Sequence, residues 1–350
     1  MFGKNRSLIG LDIGSHCIKA VELSSHGDEF AVTGYGQSGV LSEETRSQTL
    51  ASLIRKCNFR TRRVVTAVSG KSVIVRYLSL IRMSEDELRK AVEFEADKYI
   101  PFDVADVVID CQKLEENKSG IELENLDDEK MRVLLVAAKR SLVQEIVTLV
   151  EGAGLVPEIV DVNSFALGNA FELHRLLAGR GGVDPEPERV VSLIDIGAKK
   201  TNLNIVKGTT SYFTREIYLG GDDFTSAIGK RMGMRAEDAE VFKKNPGERE
   251  SELEEALSQV LEDLGNEIAL SFDYYENQFD SKVEEICLSG GGAKIPFLPR
   301  VFERIFERPA RVWNPIENLD VRPGGFDEEE LRENALQLAT AVGLASRVRN

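Results

Sequence analysis

Short apolar runs closed by aspartate and glycine set the rhythm of this chain, and one pattern occurs twice, far apart. Ile9-Gly10-Leu11-Asp12-Ile13-Gly14-Ser15 opens the sequence, and Ser192-Leu193-Ile194-Asp195-Ile196-Gly197-Ala198 repeats the pattern downstream. After each comes a second alternating stretch, Ile18 to Leu23 and Leu203 to Val206. A strand, a glycine turn and another strand read as a β-hairpin. One hairpin means little. Two, one in each half, predict a duplicated architecture with a ligand between the copies. Residues 178–189, rich in Gly, Pro and charge, read as the linker between halves. The polar stretches 115–130 and 243–254 read as long solvent loops.

Between Val64 and Val160 the pattern predicts a compact unit with its own logic. Val64–Val68 and Val73–Leu80 are β-branched runs around a Ser69-Gly70-Lys71-Ser72 turn. A helix then starts at Ser84, with Glu87 completing a capping box and Met83 and Leu88 placed as a hydrophobic staple. Leu88, Ala91, Val92, Ala96 and Tyr99 give it an apolar face, and Pro101 stops it. Strands at Val107–Cys111 and Val133–Ala137 follow, then a helix from Leu142 to near Gly152 and Gly154. This β-β-α-β-β-α order predicts a small α+β subdomain inserted in the first half. The second half reads as two strands, a Leu219–Thr225 turn and several helices. It closes with a strand at Glu285–Leu288, Ser289-Gly290-Gly291-Gly292, and a helix from Pro296 to Phe306. A last helix, Leu331 to Arg347, presents Ala335, Leu338, Ala339, Val342 and Ala345 as its packing face.

Composition narrows the function classes. The chain has 350 residues, enough for two cores, and a formal net charge of −15. That balance argues against a nucleic-acid partner, whose phosphates call for clustered Lys and Arg. No apolar run approaches the ~20 residues of a membrane span. Cys17, Cys57, Cys111 and Cys287 lie far apart without CxxC spacing, as expected of reduced thiols. His16, His26 and His174 show no metal-ligand spacing, so metal-hydroxide and histidine-base chemistry have little support.

The glycine turns suit a nucleoside triphosphate. Gly14-Ser15-His16 and Gly197-Ala198-Lys199 can aim successive backbone N–H groups at phosphates, because glycine lets the backbone come close. Asp12 and Asp195 stand at strand ends just before these turns. Carboxylates there would repel phosphate directly, so their natural work is holding magnesium through its waters. Lys19 can reach phosphate as a point charge. Gly290, Gly291 and Gly292, between a strand and a helix, let backbone pass close to a purine and ribose. Read singly, each motif is a common turn; read together they point to nucleotide.

These residues carry a resemblance. Asp12-Ile-Gly-Ser-His-Cys-Ile-Lys19 and Asp195-Ile-Gly-Ala-Lys-Lys-Thr-Asn202 look like the two phosphate motifs of the actin, Hsp70 and sugar kinase superfamily, and Leu288-Ser-Gly-Gly-Gly-Ala-Lys-Ile-Pro296 like its adenosine motif. Ser69–Arg76, Met83–Leu88, Glu93–Asp103, Val160–Leu167 and Ala341–Arg347 are very similar to the PilM family of type IV pilus assembly proteins, relatives of FtsA. FtsA continues into a membrane-targeting helix where this chain stops at Asn350, which favours PilM. The resemblance implies an α/β actin-like fold: domain I over 1–180 with an SHS2-like insert at about 64–155, and domain II over 190–350 with a subdomain at about 222–280. It implies ATP and Mg²⁺ in the interdomain cleft, bound by Gly14, Ser15, His16, Lys19, Gly197, Ala198, Lys199, Thr201, Gly220, Gly221, Gly290, Gly291 and Gly292, with Glu267 on the ribose side. Asn163 stands where Hsp70-like ATPases carry an acidic, water-positioning residue, with Asp161 close by. An amide cannot take a proton as a carboxylate can, so at most weak ATPase activity is expected.

The implied role is an ATP-binding scaffold on the cytoplasmic face of the inner membrane. Its partner would be the N-terminal cytoplasmic peptide of the membrane protein PilN, met by strand addition at Val73 and Val75 and by Phe102. The pilus motor ATPases and the platform protein are further implied partners. The alternatives are an FtsA-like cell-division protein, or a sugar or small-acid kinase, which needs a base facing an acceptor hydroxyl. No acceptor-binding polar cluster stands out.

Overall fold

The computed structural model describes residues 6–27, 29–40, 42, 44–114, 130–179, 186, 188–322 and 324–349. The predicted loop at 115–130 and linker at 178–189 fall largely outside them. The chain divides into two compact units, Val68–Glu151 and the remainder. Its path begins with strands β1 (Arg6–Ile13), β2 (Cys17–His26) and β3 (Glu29–Gly39), helix α1 (Arg46–Lys56) and β4 (Arg63–Val68). The smaller unit follows with β5 (Val73–Ile81), α2 (Glu85–Glu95), β6 (Val107–Lys113), β7 (Lys130–Lys139) and α3 (Arg140–Gly152). The larger unit resumes with β8 (Val156–Val162), α4 (Asn163–Ala178), β9 (Val190–Ile196), β10 (Thr201–Lys207) and β11 (Thr210–Ile217). After these come α5 (Gly221–Met232), α6 (Ala236–Lys244), α7 (Glu250–Phe279) and β12 (Glu285–Ser289). Last come α8 (Leu298–Phe306), β13 (Ala310–Val312), β14 (Asp320–Val321), α9 (Glu328–Glu333) and α10 (Ala339–Ala345).

The repeat seen in the sequence is a repeat of topology. The first sheet runs β14-β3-β2-β1-β4-β8 and the second β11-β10-β9-β12-β13. Without β14, the two orders correspond strand for strand. β1 lies antiparallel to β2 and parallel to β4; β9 lies antiparallel to β10 and parallel to β12. Strands so covered are buried on both faces and read as near-continuous apolar runs, as Val190–Ile194 does. One core gathers around the second sheet, with Phe224, Leu257, Leu264, Phe272 and Phe302. Another joins the first sheet to α4 and α10 through Ala166, Ala170, Phe171, Trp313, Ala341 and Leu344.

Three expectations need correction. Val64–Val68 does not belong to the smaller unit's sheet: β4 pairs with β1, and Val64, Val65 and Val68 are buried there. The stretch 243–254 is mostly helix. A short turn at Pro246-Gly247, with Gly247 at φ +57°, leads straight into α7, whose many glutamates face water and mask the period of Leu253, Leu257 and Leu261. The single last helix is broken into α9 and α10. Asn334 ends α9: its amide donates back to the Glu330 carbonyl, and its side-chain oxygen accepts from Gln337 and Lys294. Such local side-chain bonds compete with helix continuation.

In the smaller unit β7 is the centre of an antiparallel sheet ordered β5-β7-β6. The Ser84–Glu87 capping box starts α2, and Leu88, Val92, Ala96 and Ile100 pack with Met131, Val133 and Leu135.

Candidate functional site

Both Asp-Ile-Gly hairpins close the same way. The Gly14 N–H donates to the Cys17 carbonyl at 3.1 Å, and the Gly197 N–H to the Lys200 carbonyl at 2.9 Å. The cross-strand register puts Lys19 opposite Asp12 and Asn202 opposite Asp195. Equivalent positions therefore carry different chemistry. Lys19 Nζ donates to Asp12 Oδ2 at 2.7 Å. Burial works against the Lys19 charge, but the Asp12 carboxylate outweighs it and lifts the lysine above its ordinary pKa.

Asp195 has no such cation of its own. Ser289, at the end of β12, donates to its Oδ1 at 3.2 Å. Burial raises the Asp195 pKa; Lys19 offsets part of that rise and the Asp12 charge adds to it. Asp12, Lys19 and Asp195 thus converge from two sheets into one electrostatic cluster. Beside them the side-chain oxygen of Asn202 is buried without a partner among the described residues. Hard oxygen donors of this kind suit magnesium, which keeps several waters and takes only one or two carboxylates. Among the described residues no three His, Cys, Asp or Glu side chains gather in metal-binding geometry, so a cation here would rest on waters and phosphate. Asp12 and Asp195 fit that role.

The second turn is seated on the start of α5. The Gly221 and Asp222 N–H groups donate to the carbonyls of Gly197 and Ala198 at 2.9 and 2.8 Å. A Cβ on Gly220 would stand 2.6 Å from the Ala198 oxygen, so no side chain fits there. The Asp222 carboxylate reaches the first hairpin, 3.1 Å from His16 Nε2. The third glycine cluster packs against the second hairpin too: Gly290 has φ +86°, and a Cβ there would meet Ile196 backbone at 2.5 Å and Asp195 Oδ1 at 2.8 Å. Gly292 lies against the Ile196 side chain, and Gly291 faces Gln337.

Some predicted site residues are occupied otherwise. Thr201 donates its hydroxyl to the Leu219 carbonyl at 2.8 Å, bracing the turn before α5. Glu267 is paired with Arg215, which also bonds Ser271. Lys199 is exposed, and Lys200 pairs with Glu216 at 2.7 Å. Asn163 is the first residue of α4. Asp161 is committed to Arg347, whose Nη2 lies 2.7 Å from its carboxylate. In the smaller unit Val73 and Val75 are half-buried on β5, and Phe102 packs partly into the core with Lys139 Nζ 4.8 Å from its ring centroid. The sequence reading missed Ser289, Asn202 and Asp222 as groups that orient the site. Of these, Asp222 alone left a signal, in the Leu219-Gly-Gly-Asp222 turn.

Residues 10–349 match the family model described as type IV pilus assembly protein PilM. The chain belongs to the PilM family. A solved PilM–PilN type IV pilus biogenesis complex contains a chain 30% identical to it, with a TM-score of 0.82 and 98% of each chain covered. MreB5 of Spiroplasma citri, solved with ADP bound, shares 12% identity at a TM-score of 0.55, covering 97% of this chain and 94% of its own. The cell division protein FtsA of Bacillus subtilis (strain 168) is 22% identical over 363 residues, 89% of this chain and 79% of FtsA. The fold is the actin-like ATPase fold, and PilM membership gives the chain a role in type IV pilus assembly. Among the described residues no helix is long and apolar enough to cross a membrane.

Proposed function

We propose that this PilM-family chain binds Mg·ATP between its two glycine hairpins and serves as a nucleotide-gated scaffold for the N-terminal peptide of PilN. The observation that carries the nucleotide half is the convergence of Asp12, Lys19 and Asp195 from the ends of β1, β2 and β9. Lys19, Gly14, Ser15 and His16 would receive phosphate from one side, and Gly197 and Ala198 from the other. Asp12 and Asp195 would hold hydrated magnesium, whose charge screens the phosphates from these carboxylates. When it binds, Asp12 must release Lys19 to phosphate. Gly291, the half-buried member of the third glycine cluster, would face the nucleoside, while Gly290 and Gly292 press that cluster against the second hairpin. Domain I over 1–180 and domain II over 190–350, with its subdomain at 222–280, are the bodies whose angle the nucleotide would set, a shift of population rather than a chemical step.

Hydrolysis is proposed to be slow. Asp161 is held by Arg347 and Asn163 carries an amide, so neither offers a free base.

For the partner, β5 is an edge strand in the sheet of the smaller unit, and edges accept extended peptides by backbone pairing. The relative solved as a PilM–PilN complex supports PilN as that partner; the setting proposed with it is the cytoplasmic face of the inner membrane. The test is a titration of labelled PilN N-terminal peptide into the full chain, with and without Mg·ATP. The proposal expects saturable binding whose affinity changes with nucleotide, and weakening about tenfold or more in Val75→Lys, roughly the loss of one buried contact. Absence of binding in both conditions removes the partner assignment. Rapid ADP release that depends on an added sugar would instead make the chain a phosphotransferase.

A further inference from the structure

Helix α6 contributes nothing to either glycine hairpin, yet its last turn aims a buried ammonium at the support of one of them. Lys243 is 6% exposed. Its Nζ donates to the Gly221 carbonyl at 2.9 Å, to the Thr225 hydroxyl at 2.8 Å and to the Glu240 carboxylate at 2.5 Å. An ammonium has three protons to donate and no lone pair to offer, so this environment meets its whole requirement. Glu240 is fitted to the same purpose. Burial works against its charge, but bonds from Lys243, Thr225 and Lys244 outweigh that and hold its pKa down at about 2.

What the lysine grips is one peptide group. The carbonyl of Gly221 and the N–H of Asp222 share a planar, conjugated unit. Lys243 bonds the oxygen end, and the nitrogen end donates to Ala198 at 2.8 Å. A cation at the carbonyl draws electron density from the nitrogen and makes its N–H a stronger donor, since linked hydrogen bonds polarise one another. The adjoining peptide acts in parallel, with the Gly221 N–H on the Gly197 carbonyl at 2.9 Å. Of Gly197 and Ala198, Ala198 is the one whose own N–H would face phosphate, since the Gly197 N–H closes the hairpin on the Lys200 carbonyl. Asp222 also meets His16 of the first hairpin, so the same peptide borders both turns.

We infer that Lys243 is a positioning residue for the second phosphate turn: through the Gly221–Asp222 peptide it tightens the hold on Ala198 and ties α6 to the nucleotide-facing backbone. The inference rests on the nucleotide reading above. It makes α6 a lever, because moving α6 moves the carbonyl that sets the turn.

The test uses the full chain, with amide hydrogen exchange resolved at single residues in the nucleotide-free state and Mg·ATP affinity measured separately. Lys243→Met keeps the bulk and removes the charge. It should speed exchange of the Asp222 amide about tenfold, leave the β9–β10 ladder unchanged, and weaken Mg·ATP by about the same factor, equivalent to about 1.4 kcal/mol. Lys243→Arg, which restores a cation, should recover much of both. If Lys243→Met does not fold, the double change with Glu240→Gln removes the charge pair together and is read by the same criteria. A folded variant with parental Asp222 exchange overturns the polarised peptide. Faster exchange with undiminished nucleotide affinity overturns its link to the site. A parent chain that takes up no nucleotide sinks the binding reading instead, and the exchange result still decides the role of Lys243 in holding the turn.

Discussion

Burial acts on Asp195 and Lys19 with opposite outcomes, and the difference is a matter of partners. Lys19 has Asp12 at 2.7 Å and keeps its charge; Asp195 has only the hydroxyl and amide of Ser289 and Asn202 and is pushed toward its neutral form. A carboxyl whose folded pKa exceeds its unfolded one contributes stability that is fully present below the unfolded pKa. That contribution is lost as pH rises through the folded value. At neutral pH the raised pKa of Asp195 therefore weakens the fold. Asp195→Asn should raise stability at pH 7 by about 1 kcal/mol, as relief of functional-site strain commonly does, and the gain should shrink as the medium is acidified; melting curves across pH would show it. The same change should weaken magnesium-dependent nucleotide uptake about a hundredfold or more. The Asp-Ile-Gly repeats made Asp12 and Asp195 legible, because the type and spacing of neighbouring residues carry the signal. Ser289 was not legible: it meets Asp195 across 94 positions of sequence, and nothing local marks a serine as a donor to a distant carboxylate. The pairing of Glu267 with Arg215 was equally hidden, since local motif placement does not reveal a partner 52 positions away.

Elements were read best where periodicity and capping agree. The capping box at Ser84 marks the start of α2, and the two hairpins fall where the alternation puts them. Misreadings followed two causes. A run of β-branched residues fixes a strand but not its sheet, so the pattern puts β4 beside β5 although it pairs with β1. Polar faces conceal helices, as in the first turns of α7. The α5–α6 contact offers a test at this scale. With Glu240 held at about 2 against an ordinary 4.5, its contribution to stability is present above pH 4.5 and lost as the pH falls toward 2. Glu240→Gln should therefore be less stable than the parent at pH 7, and the two melting curves should converge below about pH 4.5, where the unfolded carboxyl takes up its proton.

The whole molecule is organised by duplication: two sheets of one strand order, each ending its first strand in Asp-Ile-Gly. That much the sequence announces, because duplication preserves pattern at the turn even where the flanking residues diverge. The chain's sole tryptophan, Trp313, is buried against Phe171 and His174 in the larger unit, so its fluorescence follows the unfolding of the body that carries both hairpins. Mg·ATP at one hundred times its Kd should stabilise that transition by about 2.7 kcal/mol. The most direct test of the central claim, that both hairpins grip one polyphosphate, is calorimetric titration of Mg·ATP into the parent chain, Asp12→Asn and Asp195→Asn, each first confirmed to be folded. The account predicts one site in the parent and a loss of affinity of about a hundredfold or more, some 2.7 kcal/mol, in either single variant. Equal affinity in all three chains, or no heat of binding in the parent, would contradict it.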